Sequence, residues 1–411
     1  MHLRSSLAAL AFAAMLSPAL ADDQVTDCDR LAASTNDLDR KAPGVSFDKL
    51  DGKAAEAACR AAIADSADVP RFMFQLGRAL DRQDRFDQAK AAYRAAFEEG
   101  YAPAFHAYGK LFELGLGGDV DYAKAAEYYQ KALDAGMKFA AGDIGYLHEE
   151  GLGFPKDTAA AAPLYRVAAE AGDGWSQVHL GFLYESGSGV PKDLGEAVKW
   201  YRAASEQGEA VGQFDLALLY EDGKGVPRDL NEAARLLKLA DAQDNGLAAR
   251  ELARFYRYGM GVTKDNSEAE RLWRKAIDKG EEETIWEAQN ELAYMFATDH
   301  RNLDEAADLI GKALAKAPHD HADYPAALDT SALILQLQGK NDEALKTELQ
   351  AIALQADFAP FHDRLGDIYA ALGQKDLATT EWKKALDLPA PDPTRNPEWS
   401  RDAVSAKLSP G

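Results

Sequence analysis

The sequence predicts an all-α chain, an α-solenoid of stacked helix hairpins. Residue columns recur every 36 positions, as in Gly115, Gly151, Gly187, Gly223 and Gly259. Each copy holds two stretches with apolar residues three and four apart, the spacing of a helix with one buried face. Glycines and aspartates at fixed offsets punctuate those stretches as helix stops and starts. One such hairpin cannot bury its own apolar face, whereas a stack of neighbours can.

The first 21 of the 411 residues read as a secretory signal, with Arg4, an apolar run from Leu7 to Leu16, and Ala19-Leu20-Ala21 as the cleavage context. Cleavage near Ala21 is expected, giving a periplasmic protein of a Gram-negative bacterium or a secreted one. The apolar run is too short to span a bilayer and no later segment approaches that length, so no transmembrane segment is expected. Cys28 follows Val25-Thr26-Asp27, a poor setting for lipid attachment.

Residues 22–69 form an expected capping segment. Asp37–Lys53 reads as irregular and Ala54–Ala64 as a helix. Cys28 and Cys59 are the chain's two cysteines, and export into an oxidising compartment predicts a disulfide between them. Loop closure of this size contributes about 3–4 kcal/mol.

The repeat proper covers 101–280 in five copies. Asp121, Asp157, Asp193, Asp229 and Asp265 keep the period, as do the alanine columns at Ala125 and Ala132. Between those columns stand Tyr128-Tyr129, Leu164-Tyr165, Trp200-Tyr201, Leu236-Leu237 and Leu272-Trp273. In the clearest copy, Asp173 to Gly208, the first helix presents Leu180, Leu183 and Tyr184. Gly187 stops it and Pro191 prevents continuation. Asp193 then caps the second helix, with Glu196 as a capping-box partner, a device repeated by Asp229 with Glu232 and Asp265 with Glu268. Gly208 is read as a helix-ending glycine, echoed by Gly136, Gly172 and Gly280.

This pattern resembles the Sel-one-like repeat, a relative of the tetratricopeptide repeat with a longer inter-helix loop. The residues that carry it are Leu180-Gly181, Leu183-Tyr184, Gly187-x-Gly189-Val190-Pro191-x-Asp193, Ala197, Trp200-Tyr201 and Ala203-Ala204. The first copy departs from it at Gly117–Asp121 and the fifth at Thr263. The resemblance implies a right-handed solenoid of the exported bacterial type, serving as an interaction scaffold or regulator. Residues 70–100 resemble a plain tetratricopeptide unit through Leu76-Gly77, Ala89, Tyr93 and Ala96. Residues 281–388 are read as degenerate hairpins over Leu292–Ala317 and Ala326–Ala356, then a tetratricopeptide-like unit with Leu365-Gly366, Tyr369 and Trp382. Residues 389–411 form a Pro-rich tail with a short helix from Glu398 to Lys407.

The formal charge of −22, from 68 acidic and 46 basic residues, argues against nucleic acid or an anionic membrane as the main partner. A solvated acidic surface and steering of a basic partner both fit it. No catalytic constellation, cofactor motif or metal set emerges, so no enzyme is expected. Ser46-Phe47-Asp48-Lys49 matches the Ser-x-x-Lys of penicillin-recognising enzymes, but no Lys-Thr-Gly or Ser-Asp-Asn follows, so a β-lactamase-type hydrolase is the least favoured of the three readings. His319-Asp320-His321 with Asp323 follows Pro318 and reads as a polar loop rather than a zinc site. His148 falls in an aromatic column and reads as core.

Binding is expected along the concave face, which first helices line. In tetratricopeptide geometry the groove positions stand five and two before, and two and five after, the Leu of the Leu-Gly pair. The projection gives Phe139, Tyr146 and Glu149; Trp175, Phe182 and Glu185; Phe214 and Glu221; then Arg250, Arg254 and Arg257. An aromatic and acidic stripe would pass into a basic one. The expected partner is a protein or peptide of the cell envelope. A glycan- or peptidoglycan-binding groove is the alternative, since Trp with acids also suits sugars.

Overall fold

A computed structural model describes residues 24–37, 39–282, 284–392 and 398–408. The expected signal segment, its cleavage context and part of the Pro-rich tail lie outside these residues. Among the described residues the chain holds twenty-one α-helices, one 3₁₀ turn and no strand. None of these helices is long and apolar enough to cross a membrane.

The chain divides into two compact units, 1–200 and 201–411. Unit 1 holds α1 (Asp27–Ala32), α2 (Gly52–Asp65), α3 (Pro70–Asp81), α4 (Phe86–Glu98), α5 (Ala102–Glu113), α6 (Tyr122–Asp134), α7 (Ala140–Glu150), α8 (Thr158–Glu170) and α9 (Gly174–Ser186). The boundary falls within α10 (Leu194–Glu206). Unit 2 continues with α11 (Ala210–Asp222), α12 (Leu230–Asp241), α13 (Gly246–Tyr258), α14 (Asn266–Lys279), α15 (Ile285–Thr298) and α16 (Leu303–Lys316). It ends with α17 (Tyr324–Leu337), α18 (Asn341–Leu354), α19 (Ala359–Ala371), α20 (Lys375–Asp387) and α21 (Arg401–Lys407). Within unit 1 the helices from α3 to α8 pair as hairpins, and within unit 2 those from α11 to α20 do; the second helix of each hairpin also packs on the next first helix of its unit, so the fold is an α-solenoid.

The packing follows from the columns. Tyr129, Tyr165, Tyr201, Leu237 and Trp273 are almost wholly buried, and the alanine columns beside them are buried too. The glycine of the Leu-Gly pair exists to admit that large side chain. A Cβ on Gly77 would lie 2.4 Å from the Tyr93 ring, and one on Gly366 would lie 2.4 Å from the Trp382 ring. Large and small positions thus interlock between the two helices of a hairpin.

The helix stops work as expected at Gly187, whose φ of 78° lets its N–H reach the Leu183 carbonyl at 2.9 Å. Gly280 departs from expectation. Its φ is −69°, so it ends α14 in an extended conformation. It serves close approach instead, since a Cβ on Gly246 would lie 2.7 Å from the Gly280 Cα. In the column of Gly136, Gly172 and Gly208, the fourth repeat has Asp244, which takes the left-handed turn itself at φ 61°.

The aspartate caps form as expected. Asp193, Asp229 and Asp265 each accept two backbone N–H bonds of 2.9–3.1 Å from the following first turn. The reciprocal half of the capping box does not form at Asp229 and Asp265. The N–H of Asp193, Asp229 and Asp265 is already spent on the Tyr184, Tyr220 and Tyr256 carbonyls at 2.9 Å, which closes the loop. Freed of that task, Glu196 pairs with Lys199, Glu232 with Arg235 and Glu268 with Arg271.

Cys28 and Cys59 are joined, with their Cα atoms 4.5 Å apart, and tie α1 to α2. A buried polar clamp adds to this. Arg71 of α3 pairs with Asp29 at 2.7 Å, and Gln75 donates to the same carboxylate at 3.0 Å. Arg78 donates to the carbonyls of Ala32 and Val45 at 2.7 and 2.8 Å. The segment expected to be irregular holds one 3₁₀ turn at Phe47–Lys49, so the Ser-x-x-Lys tetrapeptide lies on a turn rather than at a helix start. The hairpin expected from Leu292 begins seven residues earlier, at Ile285, because Trp286 and Ala288 belong to its buried face.

Candidate functional site

The groove projection lands on two different kinds of surface. In unit 1, Trp175 is 42% exposed and Phe182 is 52% exposed. Trp175 stands against Tyr146, Tyr165 and His179, at ring separations of 5.6, 5.7 and 4.0 Å. Glu149 lies buried beneath them and accepts from the Tyr165 hydroxyl at 2.6 Å and pairs with His179 Nδ1 at 3.0 Å. Burial acts to raise the Glu149 pKa, but these two hydrogen bonds outweigh it and hold the carboxyl below its ordinary range. Phe139, Tyr146 and Glu185 are half-buried. His148 packs its ring on Phe154 at 4.4 Å.

In unit 2, Phe214, Glu221, Arg254 and Arg257 are buried. Arg254 reaches Glu221 at 2.5 Å and Glu251 at 2.8 Å. Arg250 pairs with Glu251 at 3.0 Å and with Glu287. Arg257 donates to Asp299 at 2.7 Å, to Thr298 at 3.0 Å and to Glu398 at 3.0 Å. The expected basic stripe is therefore electrically compensated, because first helices of successive hairpins bring carboxylates against it. Burial alone would raise Glu251, but Arg254 and Arg250 overcome that and bring it down to about 2. Glu291 goes the other way. Burial and the neighbouring Glu251 charge push it up to about 7, despite Arg250, Arg254 and an N–H bond of 2.6 Å from Trp273.

Arg250, Arg254 and Arg257 line one cleft of about 620 Å³ in unit 2. Tyr258, Trp286 and Tyr294 supply aromatic rings to its lining, and Arg364 and Trp399 line it too. Arg364 is held by Asp329 at 2.8 Å. The wall residues beyond 280 were not among the sequence-derived positions. The same projection would have found several. Counting from Leu292 it gives Glu287, Asn290 and Tyr294, and from Leu365 it gives Pro360, Asp363 and Asp367, all lining the cleft. The missing glycine loop concealed the register around Leu292, whereas Leu365-Gly366 marks it in the later hairpin.

Of the suspected His319–Asp323 group, only His321 and Asp323 come together, with Glu287, their ligand atoms within 4.8 Å of one another. The Arg250 guanidinium sits on Glu287 and places positive charge beside the position a cation would take. His319 turns away to pack on Tyr324 at 4.7 Å.

Six segments of the chain match the Sel1 repeat, at residues 102–137, 139–173, 176–209, 210–245, 246–281 and 286–315, together about half of the chain. This chain belongs to the Sel1 repeat family. Residues 70–99 match the tetratricopeptide repeat. The sixth Sel1 segment falls in the stretch read from sequence as a degenerate hairpin. No curated protein matches the sequence significantly. Among solved structures, the chain is similar to c5321, described as a protective antigen of uropathogenic Escherichia coli with an SLR fold. That likeness has a TM-score of 0.64 at 24% identity, covers 81% of this chain and 71% of that one, and shows the fold. A Sel1 repeat protein from Oxalobacter formigenes is similar with a TM-score of 0.53 at 25% identity, over 59% of this chain and 96% of that one. Sel1 and tetratricopeptide arrays are scaffolds suited to binding other proteins, typically without catalysis.

Proposed function

We propose that this Sel1 repeat protein is an exported, non-catalytic scaffold or regulator that binds a peptide or protein domain of the cell envelope, with the unit 2 cleft as its principal seat. The observation that carries the reading is the composition of that cleft. Aromatic rings and arginines converge there from first helices of successive hairpins, and these residue types dominate binding hot spots. The arginines are pre-set by carboxylates, so little side-chain freedom is lost on binding. The disulfide fits an oxidising compartment.

The test is a crosslinking pull-down of the mature protein from its own envelope fraction, read by mass spectrometry. The reading expects one enriched protein, lost in the Tyr258→Ala, Tyr294→Ala double variant while the helical signal stays intact. Equal capture by both chains would sink it.

A glycan-binding reading has one observation in its favour. Trp175 offers an exposed face beside Tyr146 and Glu149, an arrangement that suits stacking on a sugar ring. Wall fragments retained by the wild type and released by Trp175→Ala would support it.

A further inference from the structure

The described end of the chain forms part of the cleft wall. Glu398 places its carboxylate 3.0 Å from Arg257, across 141 residues of sequence. Trp399, Ser400 and Ala403 line the same cleft. Val404 of α21 is wholly buried, and Lys407 bridges Asp363 and Asp367 of α19 at 2.7 Å each. A seven-residue helix has no stability of its own, so α21 depends on these contacts for its order.

The seat is incomplete, however. Trp399 Nε1 is buried without a partner, and so are Asn290 Oδ1 and Arg257 Nε of the same cleft. Arg257 would keep Asp299 and Thr298 if Glu398 left, so release leaves its guanidinium paired, and the cost of release falls on Asp363 and Asp367, which lose Lys407. A contact that walls one side of an open cleft, leaves polar groups unsatisfied and can detach with Arg257 still paired is suited to exchange.

We infer that Glu398–Lys407 is an intramolecular occupant of the unit 2 cleft, and that the external ligand is a linear peptide presenting an acidic residue next to an aromatic one, which takes the places of Glu398 and Trp399. This inference rests on the peptide-binding reading above. Occupancy by the chain's own end lowers the apparent affinity for that peptide by the fraction of time the cleft is closed.

The probe is a fluorescein-labelled synthetic peptide of residues 398–408, titrated by anisotropy into two full-length chains, the wild type and a Glu398→Arg, Trp399→Ala variant. The variant should bind the peptide at least about tenfold more tightly than the wild type. The same peptide with alanine at both positions should not compete. Should the double variant lose helical signal, Trp399→Ala alone provides the comparison. Equal binding by the two chains, or none by the released one, overturns the inference. Envelope capture separates it from the broader reading. If the released chain binds the peptide but neither chain retains any protein through Tyr258 and Tyr294, the tail contact stands and the peptide-scaffold reading falls. If both chains retain the same protein equally, the scaffold reading stands and the tail inference falls.

Discussion

The same helical register produces an exposed aromatic platform in unit 1 and a buried, charge-balanced cleft in unit 2. Trp175 and Arg254 sit at related positions of their repeats, five before and two after the first-helix Leu. Trp175 is 42% exposed, while Arg254 is 7% exposed and held by two carboxylates. A position's place in the repeat thus sets the face from which a side chain leaves its helix. What stands opposite sets its energetics. A ring packed on rings needs no electrostatic partner, but a guanidinium removed from water does.

The sharpest way to break this comparison is Arg254→Ala. It leaves Glu221 and Glu251 facing each other without their shared cation, and should cost about 3–5 kcal/mol in urea unfolding. A cost under about 1 kcal/mol would mean that the unit 2 network is effectively solvated. Next in size are Gly77→Ala in unit 1 and Gly366→Ala in unit 2. Each forces a Cβ into the ring of Tyr93 or Trp382 and should cost about 1–3 kcal/mol. Similar losses in both would sharpen the point that the hairpin core is common while the binding faces differ.

Glu291→Gln tests the charge balance by pH. Its folded pKa of about 7 lies above the ordinary carboxyl value, so ionisation opposes folding. The wild type should lose stability from this group as pH rises from about 4.5 through 7. The glutamine variant should lack that slope and be more stable by up to about 3 kcal/mol at pH 8, read by thermal unfolding across pH. A variant no more stable than the wild type at pH 8 would show that Arg250 and Arg254 offset the burial. The smallest effect on folding is expected for Trp175→Ala with Phe182→Ala. These exposed rings should change stability by under about 1 kcal/mol, even where they matter to a ligand. A larger loss would make the unit 1 platform part of its core.

Much of the fold was legible because its determinants are local. The Leu-Gly pair, the aromatic column and the aspartate cap each act within one hairpin, and a 36-residue period repeats them in view. The capping-box partners Glu232 and Glu268 misled because a loop closure nine residues back had already used the N–H they would have met. The binding face was legible only in part. Its register could be projected through Arg257, but the glycine loop that marks the register is absent beyond 280. Tyr294 therefore went unseen, and Trp286, six before Leu292, stands outside the projected positions.

The sequence by itself determined the all-α class, the hairpin repeat, the helix starts and most stops, and the cysteine pair. These rest on backbone preferences and on periodicities of a few residues. Only the tertiary structure decided which charges are buried, and with which partners. Arg71 meets Asp29 across 42 residues, Arg254 meets Glu221 across 33, and Arg257 meets Glu398 across 141. No local rule fixes such distances, because each is the sum of how successive hairpins stack.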